Sequence, residues 1–281
     1  MSDSITKTCD DSLSPTLAAE RIIPRDDSLR TVVAALESIA KIRIIWPRGL
    51  MNPGGPHRHL RGMISPISIG EDECAVFRRL IQTTRPRHAF LIGNAFGFSS
   101  AYIAHVMEAH GGESVVTLDS QTEGDGVRCA RIAQRLTQTL GLRILTAIHG
   151  TSPYDVSAAV AVEDHDLVFI DGLHAHPQVT YDFEALLPFT NSRTIFVWHD
   201  YWIPGVPQGV AAARARGVNM LYLPTSCEMV LGTRDEAVFN QLRVVYAEAR
   251  EEFPAHGKLT PLRVYTQIAA AYLIDQVRGL A

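Results

Sequence analysis

Cysteine is scarce in this chain. Its four cysteines, Cys9, Cys74, Cys129 and Cys227, lie far apart and none forms a Cys-x-x-Cys pair. That excludes a zinc knuckle and offers no disulfide framework. Reduced thiols, as in the cytoplasm, are the expectation. Long apolar runs are missing too: no uncharged stretch reaches the ~18 residues that a membrane span needs. The first residues carry Asp3, Asp10 and Asp11 and no apolar segment. No signal peptide is therefore expected, and a cytoplasmic protein is. Nor is there an excess of positive charge, since 26 Lys and Arg face 30 Asp and Glu for a net −4. Neither nucleic acid nor an anionic membrane surface is expected as a partner. No internal repeat or low-complexity tract is evident. What remains is a globular composition, 46% hydrophobic and 20% charged. Its 281 residues suit one large domain, or one domain with extensions.

Against this background one segment is informative, Ala89-Phe-Leu-Ile-Gly-Asn-Ala-Phe-Gly-Phe-Ser-Ser100. A short apolar run ends in Gly93-x-x-x-Gly97 and leads into a helical pattern. A second apolar run, Ser114 to Leu118, ends on Asp119, 22 residues after Gly97. The order is strand, glycine turn, helix, strand, acid. Glycines let backbone approach a ligand, and the acid can grip the two hydroxyls of a ribose. The spacing is not the Gly-x-Gly-x-x-Gly of dinucleotide sites, and no Gly-Lys-Ser/Thr cradles a triphosphate. A nucleoside without a polyphosphate fits best, and S-adenosylmethionine is the common one.

The rest of the chain alternates strand and helix patterns. Residues 1–27 are polar and read as a mobile segment. Asp27 or Ser28 caps a predicted helix carrying Val32, Val33, Leu36, Ile39 and Ala40. Residues 47–66 read as a loop, with His57, Arg58, His59 and Arg61 among its prolines and glycines. Loops of that length serve as lids or as plain surface connections. A helix over Glu71–Gln82 precedes the first strand, His88–Ile92. Later strands are expected over Leu142–Ile148, Leu167–Ile170, Thr194–Trp198, Asn219–Leu223 and Glu228–Leu231, with a helix over Gly209–Arg216. Val238, Leu242, Val245 and Tyr246 form one late helical pattern, and residues 265–277 another. The expected architecture is a doubly wound α/β sheet with right-handed crossovers. In such sheets ligands sit beyond the carboxyl ends of the strands. There the sequence gathers Gly93, Asp119, His149-Gly-Thr-Ser152, Asp171, His174, His199 and Asp200.

From these residues the chain resembles the class I S-adenosylmethionine-dependent methyltransferases, in particular the branch of small-molecule O-methyltransferases. Asp166-Leu-Val-Phe-Ile-Asp-Gly-Leu-His174 looks like the fourth strand of that family with its Asp-Gly-x-His end. Tyr181-Asp-Phe-Glu-Ala-Leu-Leu-Pro188 resembles the helix that follows. Thr194-Ile-Phe-Val-Trp-His-Asp-Tyr201 resembles the fifth strand with its His-Asp end. The resemblance covers roughly residues 64–235 and implies a mostly parallel, seven-stranded, Rossmann-like methyltransferase sheet with an N-terminal helical extension. The domain plan is then a mobile segment at 1–27, a helix and lid loop at 28–70, a cofactor-binding catalytic domain at 71–235, and C-terminal helices at 236–281 packed on that domain. Leu91 stands where the family usually has an acid that helps hold the methionine end of the cofactor.

The resemblance implies S-adenosylmethionine held by Gly93, Asn94, Ala95, Gly97, Ser99, Asp119, Ser120, Gly150, Thr151, Ser152 and Asp171. The sulfonium methyl is already electrophilic, so the protein must align the acceptor and take its proton. His174 and then His199 are the candidate bases, because imidazole titrates near neutral pH, with Asp171 beside them. Alternatively Asp171, His199 and Asp200 hold a divalent metal such as Mg²⁺, which prefers oxygen ligands. His174 and His176 are too few for zinc. Trp198, Tyr201 and Trp202 are candidates to line an acceptor pocket. The expected activity is methyl transfer to a hydroxyl, ahead of an amine, of a small specialised metabolite. The expected partner is that small-molecule acceptor, and a homo-oligomer stays open. The rival readings are another transferase of the same cofactor family, such as an aminopropyl transferase, and a degenerate fold acting as a partner or scaffold.

Overall fold

The computed structural model describes residues 26–40, 43–44, 63–64, 69–121, 126–160, 162, 164–225 and 227–252. Most of the expected lid loop, the N-terminal segment before Asp26 and the helical pattern over 265–277 lie outside them.

Seven strands form one sheet: β1 (His88–Ile92), β2 (Ser114–Asp119), β3 (Leu145–His149), β4 (His165–Ile170), β5 (Thr190–Trp198), β6 (Asn219–Leu223) and β7 (Met229–Thr233). Their spatial order is β3-β2-β1-β4-β5-β7-β6. The first five run parallel. Strand β7 lies antiparallel to both β5 and β6. The expected doubly wound, mostly parallel sheet is therefore the one observed. A separate two-residue parallel pair joins Arg43–Ile44 to Met63–Ile64, of which only Met63–Ile64 lies inside the region expected to be loop.

Helices cover both faces. One layer holds α1 (Asp27–Ala40), α2 (Glu71–Thr84), α3 (Phe98–Ala109), α4 (Gly126–Leu140) and α8 (Glu236–Glu252). The other holds α5 (Val156–Ala159), α6 (Gln178–Leu186) and α7 (Gly205–Ala215). Strand residues point alternately to the two faces. Ala89 and Leu91 pack with Phe77, Tyr102 and Leu136 in the first core, whereas Phe90 and Ile92 pack with Val179 and Phe183 in the second. Both faces are dry, which is why β1 and β4 read as continuous apolar runs. Leu91 is fully buried in the first core. Trp198 is also fully buried, stacked on Phe196 at 5.7 Å. It is a core residue, so the expectation that it lines an acceptor pocket is corrected. Among the described residues no helix is long and apolar enough to cross a membrane.

Candidate active site

The parallel strands bring their carboxyl ends to one edge, and the glycine turn sits at its centre. Gly93 (φ +94°) donates its N–H to Leu118 O at 2.9 Å. A Cβ there would overlap the carbonyl of Asp171, so β1 and β4 meet at a point where only glycine fits. Asp119 ends β2 and turns back on this loop. Its Oδ2 accepts the N–H groups of Asn94 at 2.6 Å and Ala95 at 2.9 Å, and its Oδ1 accepts that of Gln121 at 2.5 Å. The acid expected to grip a ribose thus also builds the turn. A carboxylate offers about four acceptor sites, so a position remains beyond these three bonds. Asn94 is steadied further, because Ser100 Oγ donates to its Oδ1 at 2.5 Å. Gly97 (φ +80°) answers to a different neighbour: a Cβ would lie 2.7 Å from that of Ala133 on α4. Its glycine serves helix packing. Ser99 is buried in the first turn of α3.

After β3 the backbone turns under Asp119, with Gly150 N–H on Asp119 O at 3.0 Å. His149 Nε2 lies 3.1 Å from Ser120 O. Thr151 N–H donates to Asp155 Oδ2 at 2.7 Å. Ser152 was expected at the cofactor, but it is buried and its hydroxyl donates to Asp182 Oδ1 at 2.6 Å. Gln178 Nε2 donates to the same oxygen at 2.6 Å and to Ser152 O at 2.8 Å. Ser152 therefore joins the β3 loop to α6. Burial pushes the Asp182 carboxyl up to about 6, and the bonds from Ser152 and Gln178 return only part of that shift.

The ends of β4 and β5 hold the charged cluster. His199 is 2% exposed and has a carboxylate at each ring nitrogen: Nδ1 lies 2.9 Å from Asp171 Oδ1, and Nε2 lies 2.9 Å from Glu73 Oε2. Asp200 Oδ2 is 3.4 Å from Nδ1. Burial disfavours a charged ring, but Asp171, Glu73 and Asp200 outweigh it and raise the pKa well above the ordinary value. Conversely, burial works against the Asp171 anion, yet His199 and His174 hold that carboxyl down at about 2. Asp200 is lowered in the same way, against its burial, by the same two histidines. With both nitrogens donating, His199 has no lone pair with which to take a proton.

His174 is different. Its Nε2 is 3.4 Å from Asp171 Oδ1 and its Nδ1 is 3.8 Å from Asp200 Oδ2, neither a tight hydrogen bond. Burial lowers its pKa, but the two carboxylates prevail and raise it. The ring borders an open cleft of about 540 Å³, shared with Leu173, His176, Ile203, Pro204 and Gln208. Tyr201 packs on Tyr222 at 5.5 Å, and Trp202 Nε1–H donates to Asp200 Oδ1 at 3.0 Å.

Asp171, His174, His199 and Asp200 each offer one ligand atom within 4.8 Å of the others. Glu73 stands behind His199 as a carboxylate stands behind a metal-bound histidine. That donor set fits a divalent cation once His199 gives up its Nδ1 proton and keeps Nε2–H on Glu73.

Two buried acids escaped the sequence reading, Glu73 and Asp182. A signal was present for both. Glu73 falls on the stripe of Val76, Phe77 and Leu80, and Asp182 on that of Val179 and Leu186, all buried. An acid on an apolar helical stripe needs donors from elsewhere.

Residues 90–201 match the family described as a methyltransferase domain, from the glycine turn through the His-Asp end of β5. Solved methyltransferases share the fold. An O-methyltransferase from Bacillus cereus, in complex with S-adenosylhomocysteine, is 17% identical with a TM-score of 0.53, covering 76% of this chain and 94% of that one. The O-methyltransferase TomG from Streptomyces achromogenes, involved in tomaymycin synthesis and solved with S-adenosylmethionine, is 14% identical at 0.53, covering 76% and 92%. The Podospora anserina methyltransferase PaMTH1, bound to S-adenosylhomocysteine, is 11% identical at 0.54, covering 75% and 89%. No curated protein matches the chain in sequence. In this chain the glycine turn and Asp119 lie at the carboxyl ends of the strands, where open α/β sheets bind their ligands.

Proposed function

We propose that this protein is an S-adenosylmethionine-dependent methyltransferase that acts in the cytoplasm and methylates a hydroxyl, ahead of an amine, of a small specialised metabolite. One observation carries the reading. His174 is the only ring of the cluster without a tight partner, and it faces both the charged strand ends and an open cleft. TomG, a relative in fold, is an O-methyltransferase of a natural-product synthesis, which supports the acceptor class.

The step balances simply. The acceptor oxygen attacks the methyl carbon, and the carbon–sulfur bond breaks with its electron pair going to sulfur. S-Adenosylhomocysteine leaves, and the acceptor's proton passes to His174. Two carboxylates, Asp171 and Asp200, lie at the strand ends beside His199, and a third, Glu73, stands behind its ring. This negative balance suits a sulfonium. His199 braces the acids and does not act as the base. Asp171, Asp200 and His199, the last after releasing its Nδ1 proton, would hold a divalent cation such as Mg²⁺, which would lower the pKa of the acceptor hydroxyl when bound.

The test is calorimetry with S-adenosylmethionine and S-adenosylhomocysteine, followed by mass spectrometry on a panel of phenols, aliphatic alcohols and amines. Micromolar cofactor binding and a gain of one methyl on a hydroxyl are expected. No binding at millimolar cofactor supports a scaffold instead, and methylation confined to amines overturns the acceptor class.

A further inference from the structure

We propose that Glu73 is a positioning residue of the methyl-transfer site, setting which way the His199 ring faces. The proposal rests on the methyltransferase reading above. Glu73 lies on α2, outside the segment that matches the methyltransferase domain, and 126 positions from His199. Its side chain is fully buried.

Four donors converge on this one carboxylate. Oε2 accepts Gly70 N–H at 2.9 Å and His199 Nε2–H at 2.9 Å. Oε1 accepts Thr225 Oγ1–H at 2.8 Å and Cys227 N–H at 3.1 Å. These use the full accepting capacity of an ionised carboxylate. They tie the start of α2 and the turn between β6 and β7 to the end of β5. Capping α2 alone requires no such burial, because a polar residue at the surface caps a helix at no desolvation cost.

The consequence falls on His199. An imidazole fits its slot in two ways that exchange nitrogens for carbons. Glu73 takes Nε2–H, so Nδ1 is the atom presented to Asp171 at 2.9 Å and to Asp200 at 3.4 Å. The ring of Phe169 lies edge-on to the imidazole at 6.0 Å and borders the slot with an apolar wall. With Glu73 removed, nothing in this geometry would distinguish the two ring orientations on the α2 side. Asp171 and Asp200 would then lose their common donor, and His174 would lose the two acids that flank it.

The experiment uses the full chain with ¹⁵N-labelled histidine. In the wild type, the His199 Nε2 resonance should be that of a proton-bearing nitrogen whose proton exchanges slowly. Glu73→Gln should shift that resonance and speed the exchange. It should also lower kcat by ~10–100-fold, as loss of a carboxylate behind a site histidine does, while S-adenosylmethionine affinity changes less than ~2-fold. Thr225→Val removes a Glu73 contact without touching His199. It should lower thermal stability and leave the His199 resonances in place. A bare Nε2 in the wild type overturns the proposal, and this measurement holds even where Glu73→Gln fails to fold. So does a Glu73→Gln protein that loses stability only, with kcat and the His199 resonances unchanged. Failure of the wild type to bind S-adenosylmethionine overturns the methyltransferase reading while leaving the ring arrangement measurable.

Discussion

Gly93 and Asp171 are in backbone contact: the Cα hydrogen of Gly93 points at the Asp171 carbonyl, where a Cβ would overlap it. The Asp171 N–H donates to Ile92 O at 2.9 Å just below, so neither strand end can slide away without breaking the sheet. With φ at +94°, an alanine at 93 is strained even before the overlap. Gly93→Ala should therefore cost about 2–4 kcal/mol of stability, from strain plus overpacking. It should also displace Asp171 and the loop to His174. Thermal unfolding together with calorimetry checks both. Full stability in the variant would mean that β1 and β4 are less closely joined than described.

Asp119 accepts backbone N–H groups from Asn94, Ala95 and Gln121. Removing it leaves the glycine turn without its anchor and a bound ribose without an acceptor. Asp119→Ala should weaken S-adenosylmethionine binding by ~1.5–3 kcal/mol, the scale of lost charged hydrogen bonds. Cofactor titration by calorimetry reads this directly. Unchanged affinity would show that the acid builds the turn and nothing more.

Much of this was legible because parallel strands buried on both faces announce themselves as apolar runs, and because Gly93 and Asp119 end two of them. Boundaries were less so. The third strand starts at Leu145 rather than at Leu142, whose N–H instead closes the end of α4 on Thr137 O at 3.1 Å. Helix α7 starts at Gly205, ahead of the expected Gly209, because Pro207 falls in its first turn, where a missing N–H costs nothing. The site was half legible. His174 and His199 look alike in sequence, each ending a strand. What separates them is Glu73, and no local pattern reports a contact 126 residues away. The hydroxyl of Ser152 is another long-range case: its partner, Asp182, belongs to the following crossover.

Asp182 makes stability depend on pH. Its folded pKa is raised to about 6 from an ordinary 3.8, so the neutral acid is the favoured buried form. The native protein then holds a proton that the unfolded chain has already lost between these values. Stability is fully present below about pH 4 and falls as pH rises through 6, by about 3 kcal/mol. Asp182→Asn, which keeps an acceptor for Ser152 and Gln178, should remove that slope. Denaturant unfolding of both proteins at pH 4.5, 6 and 7.5 decides, and parallel curves would exclude the shift.

His165 acts in the opposite sense. It is fully buried at the start of β4, packed edge-on to Phe90 at 5.4 Å, with no partner for either ring nitrogen among the described residues. Burial lowers its pKa to about 4, and nearby His88 adds to the effect. The unfolded chain binds a proton here before the native one does. Stability is fully present above about pH 6.5 and is lost as pH falls towards 4, again by about 3 kcal/mol. His165→Phe should flatten this limb and move the midpoint of acid unfolding to lower pH. The Asp182 and His165 slopes oppose each other between pH 4 and 6, so each variant should expose the dependence of the group that remains. Acid titration followed by circular dichroism measures it, and an unmoved midpoint would count against a neutral buried ring.

The two strand-end histidines should fail in different ways. His174 borders the cleft with loose contacts to Asp171 and Asp200. His174→Gln should lower turnover ~10²–10⁴-fold with cofactor affinity and melting temperature kept, as for loss of a general base. His199→Gln should instead cost about 3–5 kcal/mol of stability, because Glu73 and Asp171 are left buried without their shared cation. The pH profile adds a direction. A base works only when deprotonated, so the wild-type rate should fall as pH drops through the His174 pKa, which Asp171 and Asp200 raise against burial. Asp200→Asn withdraws one of those carboxylates and should move the inflection to lower pH. Rates measured after exhaustive chelation and again with added Mg²⁺ separate the proton acceptor from a bound cation: an inflection that persists without metal belongs to the ring. Near-wild-type turnover in His174→Gln, with or without Mg²⁺, would rule out His174 as the base. Catalysis would then rest on positioning, or on an acceptor acidic enough to ionise unaided.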